Sequence, residues 1–160
     1  MRIYPLGQLP AITDGDVHMI ESVAIMQYLM AKYGPTELAV AAGEKDFAPY
    51  LQFLEFGESG LCAIGNAFVA TRFQAPEDKR DNWTRDYVVS AINKRMKVVQ
   101  ARLDAGNQYM AAGRFTAADI SVGWAIGIAK YFGIVTEFAP SVVAYHERVT
   151  ARPAYKKAAG

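Results

Sequence analysis

The sequence predicts a mainly α protein in which a β-hairpin and one helix precede an all-helical bundle that makes up most of the mass. Three observations carry this. Two short apolar runs, "AIT" and "VHMI", flank "DGD" within residues 11–20, the form of a hairpin. Beyond about residue 46, apolar residues recur at helical spacing to the end of the chain. Strands first and helices after means that α and β are segregated.

The elements follow in order. Pro10 stands just ahead of the first run. Proline has no N–H for a sheet ladder, so it marks either a strand start on an edge or, with a cis bond, a backbone corner facing a ligand. The hairpin ends at Ile20, and "ESVAIMQYLMAKYG" sets Val23, Ile25, Met26, Leu29 and Met30 at helical spacing. A C-cap glycine and a breaker, Gly34-Pro35, predict the end of that helix. "GPTELAVAAGEKD" has weak periodicity and many small residues, so residues 35–45 read as a linker between a first domain at 1–34 and a helical domain at 46–160.

Residues 46 to about 74 place Phe47, Leu51, Leu54, Leu61, Phe68 and Val69 on one helical stripe, with Tyr50, Phe53 and Phe56 on others. "APEDK" interrupts the pattern. Residues 79–104 set Trp83, Tyr87, Ala91, Ile92, Val99 and Leu103 on an apolar face opposite Arg85, Lys94, Lys97 and Gln100. In "FTAADI", Thr116 and Asp119 have the spacing of a capping box, and Phe115 and Ile120 stand at the staple positions. The helix that follows is apolar across residues 115–135, but Asp119 and Lys130 argue against a membrane span and for a core helix enclosed on all sides. Pro140 and Pro153 start a last pair of helices.

Composition narrows the function. The 17 basic residues nearly cancel the 16 acidic ones, so no global field draws the chain to nucleic acid or to an anionic membrane. A single cysteine, Cys62, excludes an intramolecular disulfide and fits a reducing compartment. With His18 and His146 far apart in sequence, no metal site is expected. "MRIYPLGQLP" lacks the apolar core of a signal peptide, which makes the cytoplasm the expected location.

Four pieces of the chain resemble the glutathione S-transferase family. "PLGQLPAITDGD" is similar to its segment with a cis proline, and "IESVAIMQYL" to its Glu/Gln-Ser helix start. "FTAADI" is similar to the motif that opens its buried central helix, and "ARPAYKKA" to its C-terminal pattern. The resemblance covers nearly the whole chain. It implies that residues 1–34 are a partial thioredoxin-like, glutathione-binding domain, and that residues 46–160 are the family's all-helical C-terminal domain. It also implies glutathione as co-substrate, a hydrophobic electrophile as second substrate, and a homodimer.

Site residues follow from the resemblance together with the chemistry of the ligand. Glutathione carries two carboxylates and an ammonium, so its site needs a backbone edge and groups of both polarities. A cis bond at Leu9–Pro10 would turn the Leu9 main chain outward, so that the cysteinyl unit pairs as an added strand. The resemblance assigns Glu21 and Ser22 to the γ-glutamyl end and Gln8 to the glycyl carboxylate. On the residues alone, the better reading of Glu21 and Ser22 is a cap and a first-turn charge, and of Gln8 a solvated loop residue. Cys62, in "GLCAIG", reads as a small core or interface residue.

Family members activate the bound thiol with a Tyr, Ser or Cys early in the N-terminal domain. Ahead of Pro10 this chain has one hydroxyl, Tyr4. The expectation is therefore a shortened transferase, with no catalytic residue of its own and an open hairpin edge that a second copy could cover. The alternative is a non-catalytic binding or assembly module on the same fold.

Overall fold

The computed structural model describes residue 7 and residues 9–159. Its backbone divides into two compact units, Met1–Ala39 and Val40–Gly160. In the first unit, β1 (Ala11–Asp14) pairs antiparallel with β2 (Val17–Ile20), from Ala11 opposite Ile20 to Asp14 opposite Val17. The turn is Gly15-Asp16, one residue later than the Asp-Gly pair suggests. Gly15 takes φ 61°, as the first position of a type II′ hairpin turn requires. Asp14 is thereby the last residue of the ladder.

Helix α1 (Ser22–Tyr33) follows directly. Its apolar face is narrower than the spacing suggested: Val23 and Ile25 are buried, and Leu29 is exposed. Gly34 ends the helix, but not through a left-handed cap, since its φ is −69°. A side chain there would collide with the Met30 carbonyl, which is why the position is glycine. Residues 34–46 form turns and bends without regular structure.

The second unit is helical. The stretch read as one helix from 46 to 74 is a continuous helical path of alternating character: α2 (Phe47–Glu55), a π-helical segment Phe56–Cys62, α3 (Ala63–Val69) and a second π segment Ala70–Gln74. A π segment changes the phase of the side chains, so one stripe cannot be extended through it. Leu54, Leu61 and Phe68 are buried as expected, but Tyr50 and Phe53 join them, and Leu51 is exposed. Cys62 closes the first π segment, so it does not lie mid-way along an α-helix.

Helix α4 (Trp83–Asp104) starts later than residue 79, because a 3-10 turn occupies Glu77–Lys79. The Asn82 side chain caps α4 by accepting the Arg85 N–H at 3.0 Å. Val88, Ala91, Ile92, Met96, Val99 and Leu103 form its buried face. Trp83 and Tyr87 do not belong to that face. They lie about 120–160° around the helix from its centre, are 75% and 54% exposed, and stack on each other at 5.2 Å.

Helix α5 (Ala117–Tyr131) packs on α2 and the first π segment. Gly57 makes this approach possible, because a methyl group there would overlap Ser121. The helix is not enclosed all round: Ile120, Trp124 and Tyr131 are 39%, 58% and 82% exposed on its outer side. Phe115 meets the Tyr109 ring edge-on at 6.3 Å and lies 3.8 Å beneath the Arg152 guanidinium. Helices α6 (Pro140–Thr150) and α7 (Pro153–Ala159) begin at their prolines, and α6 covers α4 and α5 with Val142, Tyr145 and Val149. Among the described residues, no helix is long and apolar enough to cross a membrane.

Candidate functional site

The register of the hairpin decides which residues share its open end. Ala11 pairs with Ile20, so the residues just outside the ladder are Pro10 on one strand and Glu21 on the other. Leu9 is 89% exposed, and the Leu9–Pro10 peptide is cis. On the other side, Glu21 holds φ 75° and ψ 108°, a left-handed φ that is uncommon outside glycine. Its carbonyl accepts the Ile25 N–H at 2.9 Å, while its exposed carboxylate does not cap α1. Half-buried Ser22 is the first residue of α1, and the first turn of that helix contains no acidic residue. The amides and positive dipole end at Ser22 are thus not offset by the helix's own side chains. Gln8 and Tyr4 lie outside the described residues.

The arrangement joins three kinds of group at one end of the hairpin: an exposed main chain at Leu9, a carboxylate at Glu21, and a hydroxyl on a helix N-terminus at Ser22. The carboxylate can accept from an ammonium, and the helix start can donate to a carboxylate.

At the turn end of the hairpin lies a cluster that the sequence reading missed. Asp14 Oδ2 accepts from the Tyr28 hydroxyl at 2.9 Å, from Lys32 Nζ at 2.8 Å and from the Tyr33 hydroxyl at 2.6 Å. The Lys32 ammonium, followed by the two hydroxyls, lowers the Asp14 pKa to about 2, and the Asp14 carboxylate in turn raises Lys32. The i, i+4 spacing of Tyr28 and Lys32 was visible, but their shared acceptor depends on the hairpin register.

In the second unit, Thr116 and Asp119 form a reciprocal capping box, with the Thr116 N–H donating to Asp119 Oδ2 at 2.8 Å. Asp119 Oδ1 also accepts the Met110 N–H at 2.9 Å and the Tyr145 hydroxyl at 3.0 Å. Burial raises the Asp119 carboxyl, and these donors oppose the rise. Asp46 Oδ2 accepts from Arg102 at 2.8 Å and from the Ala112 N–H at 3.0 Å, and Arg114 holds Glu44 through two bonds at 2.8 and 3.1 Å. These groups fix loops and leave little capacity for a ligand.

Cys62 is half-buried, and burial, with the Glu58 charge adding to it, pushes its thiol up to about 12. Such a thiol is not a nucleophile at neutral pH. Phe53 and Phe68 are core residues, and half-buried Phe56 meets Phe53 edge-on at 6.3 Å. Among the described residues, no three His, Cys, Asp or Glu side chains group to hold a metal ion.

Comparison with known proteins gives this arrangement its family. The model of the glutathione S-transferase C-terminal domain matches residues 64–157, and that of the N-terminal domain matches residues 1–37. The chain belongs to the glutathione S-transferase family. It is 28% identical over 161 residues to glutathione S-transferase F7 of Arabidopsis thaliana, covering 96% of this chain and 75% of that one. A glutathione transferase from Methylococcus capsulatus superposes with a TM-score of 0.82 at 25% identity, covering 98% of this chain and 74% of that one. A sphingomonad glutathione S-transferase complexed with glutathione gives 0.79 at 25% identity, over 98% and 74%. The hairpin, helix and helical domain therefore form the family's fold.

Proposed function

We propose that this chain binds glutathione at the open end of its hairpin. The reading is carried by the register that sets Leu9–Pro10 and Glu21–Ser22 at that end. Ser22 and the free amides of α1 take the γ-glutamyl carboxylate, and Glu21 takes its ammonium. The Leu9 main chain pairs with the cysteinyl unit, and Gln8 reaches the glycyl carboxylate. Family membership and the glutathione bound in the sphingomonad relative support the choice of ligand.

The family reaction is transfer of the glutathione thiolate to an apolar electrophile. The thiol loses its proton to solvent, a carbon–sulfur bond forms, and the leaving group departs with its electron pair. A cysteine thiol has a pKa near 8.5, so turnover at neutral pH needs a donor that stabilises the thiolate. Of the nine residues ahead of Pro10 only Tyr4 has a hydroxyl, and we read these residues as holding glutathione better than they activate it. A homodimer in the cytoplasm, where thiols stay reduced, completes the reading, and light scattering tests the dimer.

Calorimetric titration with glutathione, run beside Glu21→Ala and Ser22→Ala, tests the site. Binding that each substitution weakens by about tenfold supports it, the loss of one charge-assisted hydrogen bond being worth roughly 1.5 kcal/mol or more. Absence of binding by the folded chain would leave the non-catalytic assembly module. A thiol-transfer assay with an activated chloroarene tests the second half: turnover close to the uncatalysed rate is expected.

A further inference from the structure

We infer that Asp14 is a positioning residue for the glutathione site at the opposite end of the hairpin, an inference that rests on the reading above. The two strands have four residues each, too few to hold an orientation by themselves. The chain joins the hairpin to α1 at Glu21, where β2 also packs on the helix, so without an attachment further along the strands could swing about that end. Asp14 supplies that attachment. Its Oδ2 collects donors from Tyr28, Lys32 and Tyr33, all in the second half of α1, and Lys32 Nζ also donates to the Tyr28 hydroxyl at 2.9 Å. The Lys32 ammonium lies 5.3 and 5.4 Å from the centroids of the Tyr28 and Tyr33 rings, within cation–π range.

A lone exposed ion pair contributes little. Here the effect is geometric closure: the hairpin is tied to α1 at both ends, by the chain at Glu21 and by the Asp14 cluster at the turn. Leu9 lies two residues ahead of β1, and Ser22 opens α1. The register sets how far the Leu9 main chain lies from Ser22, and the direction in which α1 leaves that end, and with it the aim of the Ser22 amides at a shared ligand, is set by the angle that Asp14 fixes. Preorganisation of this kind lowers the ordering cost of binding.

The experiment titrates the full chain with glutathione at a temperature where circular dichroism shows every variant folded. Asp14→Ala is expected to raise Kd by about three- to tenfold. Asp14→Asn, which keeps an acceptor for the tyrosine hydroxyls but no charge, should fall between it and the parent. Amide exchange at Ile12 and Met19 should accelerate in Asp14→Ala. A merely structural role would lower the melting temperature and leave the Kd of the folded molecule unchanged, and that result overturns the inference. Should Asp14→Ala fail to fold, the Tyr28→Phe/Tyr33→Phe double variant removes two donors, and an unchanged Kd there has the same meaning. Absence of binding by the parent chain overturns the glutathione reading and this inference together, whereas equal Kd values for parent and Asp14→Ala overturn only the role of Asp14.

Discussion

Asp119 is almost wholly buried, yet its two carboxylate oxygens meet the Thr116 and Met110 amides and the Tyr145 hydroxyl. Removing the carboxylate strands two buried N–H groups, each at about 1–3 kcal/mol. Asp119→Ala should therefore lower unfolding stability by roughly 3 kcal/mol, and Tyr145→Phe by about 1 kcal/mol, in urea titrations. His146, in the same helix pair, adds a pH dependence between neutrality and mild acid. Burial, with Lys130 adding repulsion, lowers its pKa below 6.5, against weaker opposing contributions from the Gly123 backbone and Glu147. Among the described residues its Nε2 is buried without a partner, and it faces Gly127. A depressed imidazole pKa means that the unfolded chain binds the proton first. The contribution is present above the unfolded value of 6.5 and is lost as pH falls through the folded one. The melting temperature should thus fall between pH 7 and 5 more steeply for the parent than for His146→Gln. At this scale the sequence showed Thr116 and Asp119, because a capping box is a local spacing. Tyr145 was not legible, since nothing local links it to a carboxylate 26 residues away.

Among the elements, the π segment Phe56–Cys62 carries a close helix approach. Gly57 faces Ser121 of α5 with no room for a methyl group, and α5 packs on this segment as well as on α2. Gly57→Ala must push the helices apart or bend the segment, an overpacking cost of about 1–3 kcal/mol. The measurement is the shift in urea midpoint, with Gly43→Ala, where a methyl group meets nothing within 4 Å, as the control. Element order and most boundaries were legible because prolines, turn glycines and the capping box mark them. The phase of the helices was less so. Ala91, Ile92, Val99 and Leu103 of the expected face of α4 are buried, but Val88 and Met96 complete it, and Trp83 and Tyr87 lie nearly on the opposite side. An apolar side chain at helical spacing states that a face exists, and the neighbours decide which face is covered.

For the whole molecule, the two units differ in what they bury. Among the described residues of the first, only Val23 and Ile25 are buried, while the second has a core running from Tyr50 through Ile92 and Val122 to Tyr145. Chains below about 40 residues rarely fold without a disulfide, a metal or an association, and a two-stranded hairpin is marginal by itself. A peptide of residues 1–39 should therefore show little helix by circular dichroism and slowly protected amides nowhere. A fragment of residues 40–160 should keep its helical spectrum and melt in one cooperative transition, because its capping box, Asp46–Arg102 bridge and Glu44–Arg114 pair all lie within it. If the short peptide folds alone, the Asp14 cluster is a stronger tie than its exposure suggests. If the long fragment melts without cooperativity, the core named above is not self-sufficient. The candidate ligand residues all belong to the first unit, so glutathione binding should require the full chain and be absent from both fragments, a titration that separates a site dependent on the folded whole from one held by a local peptide.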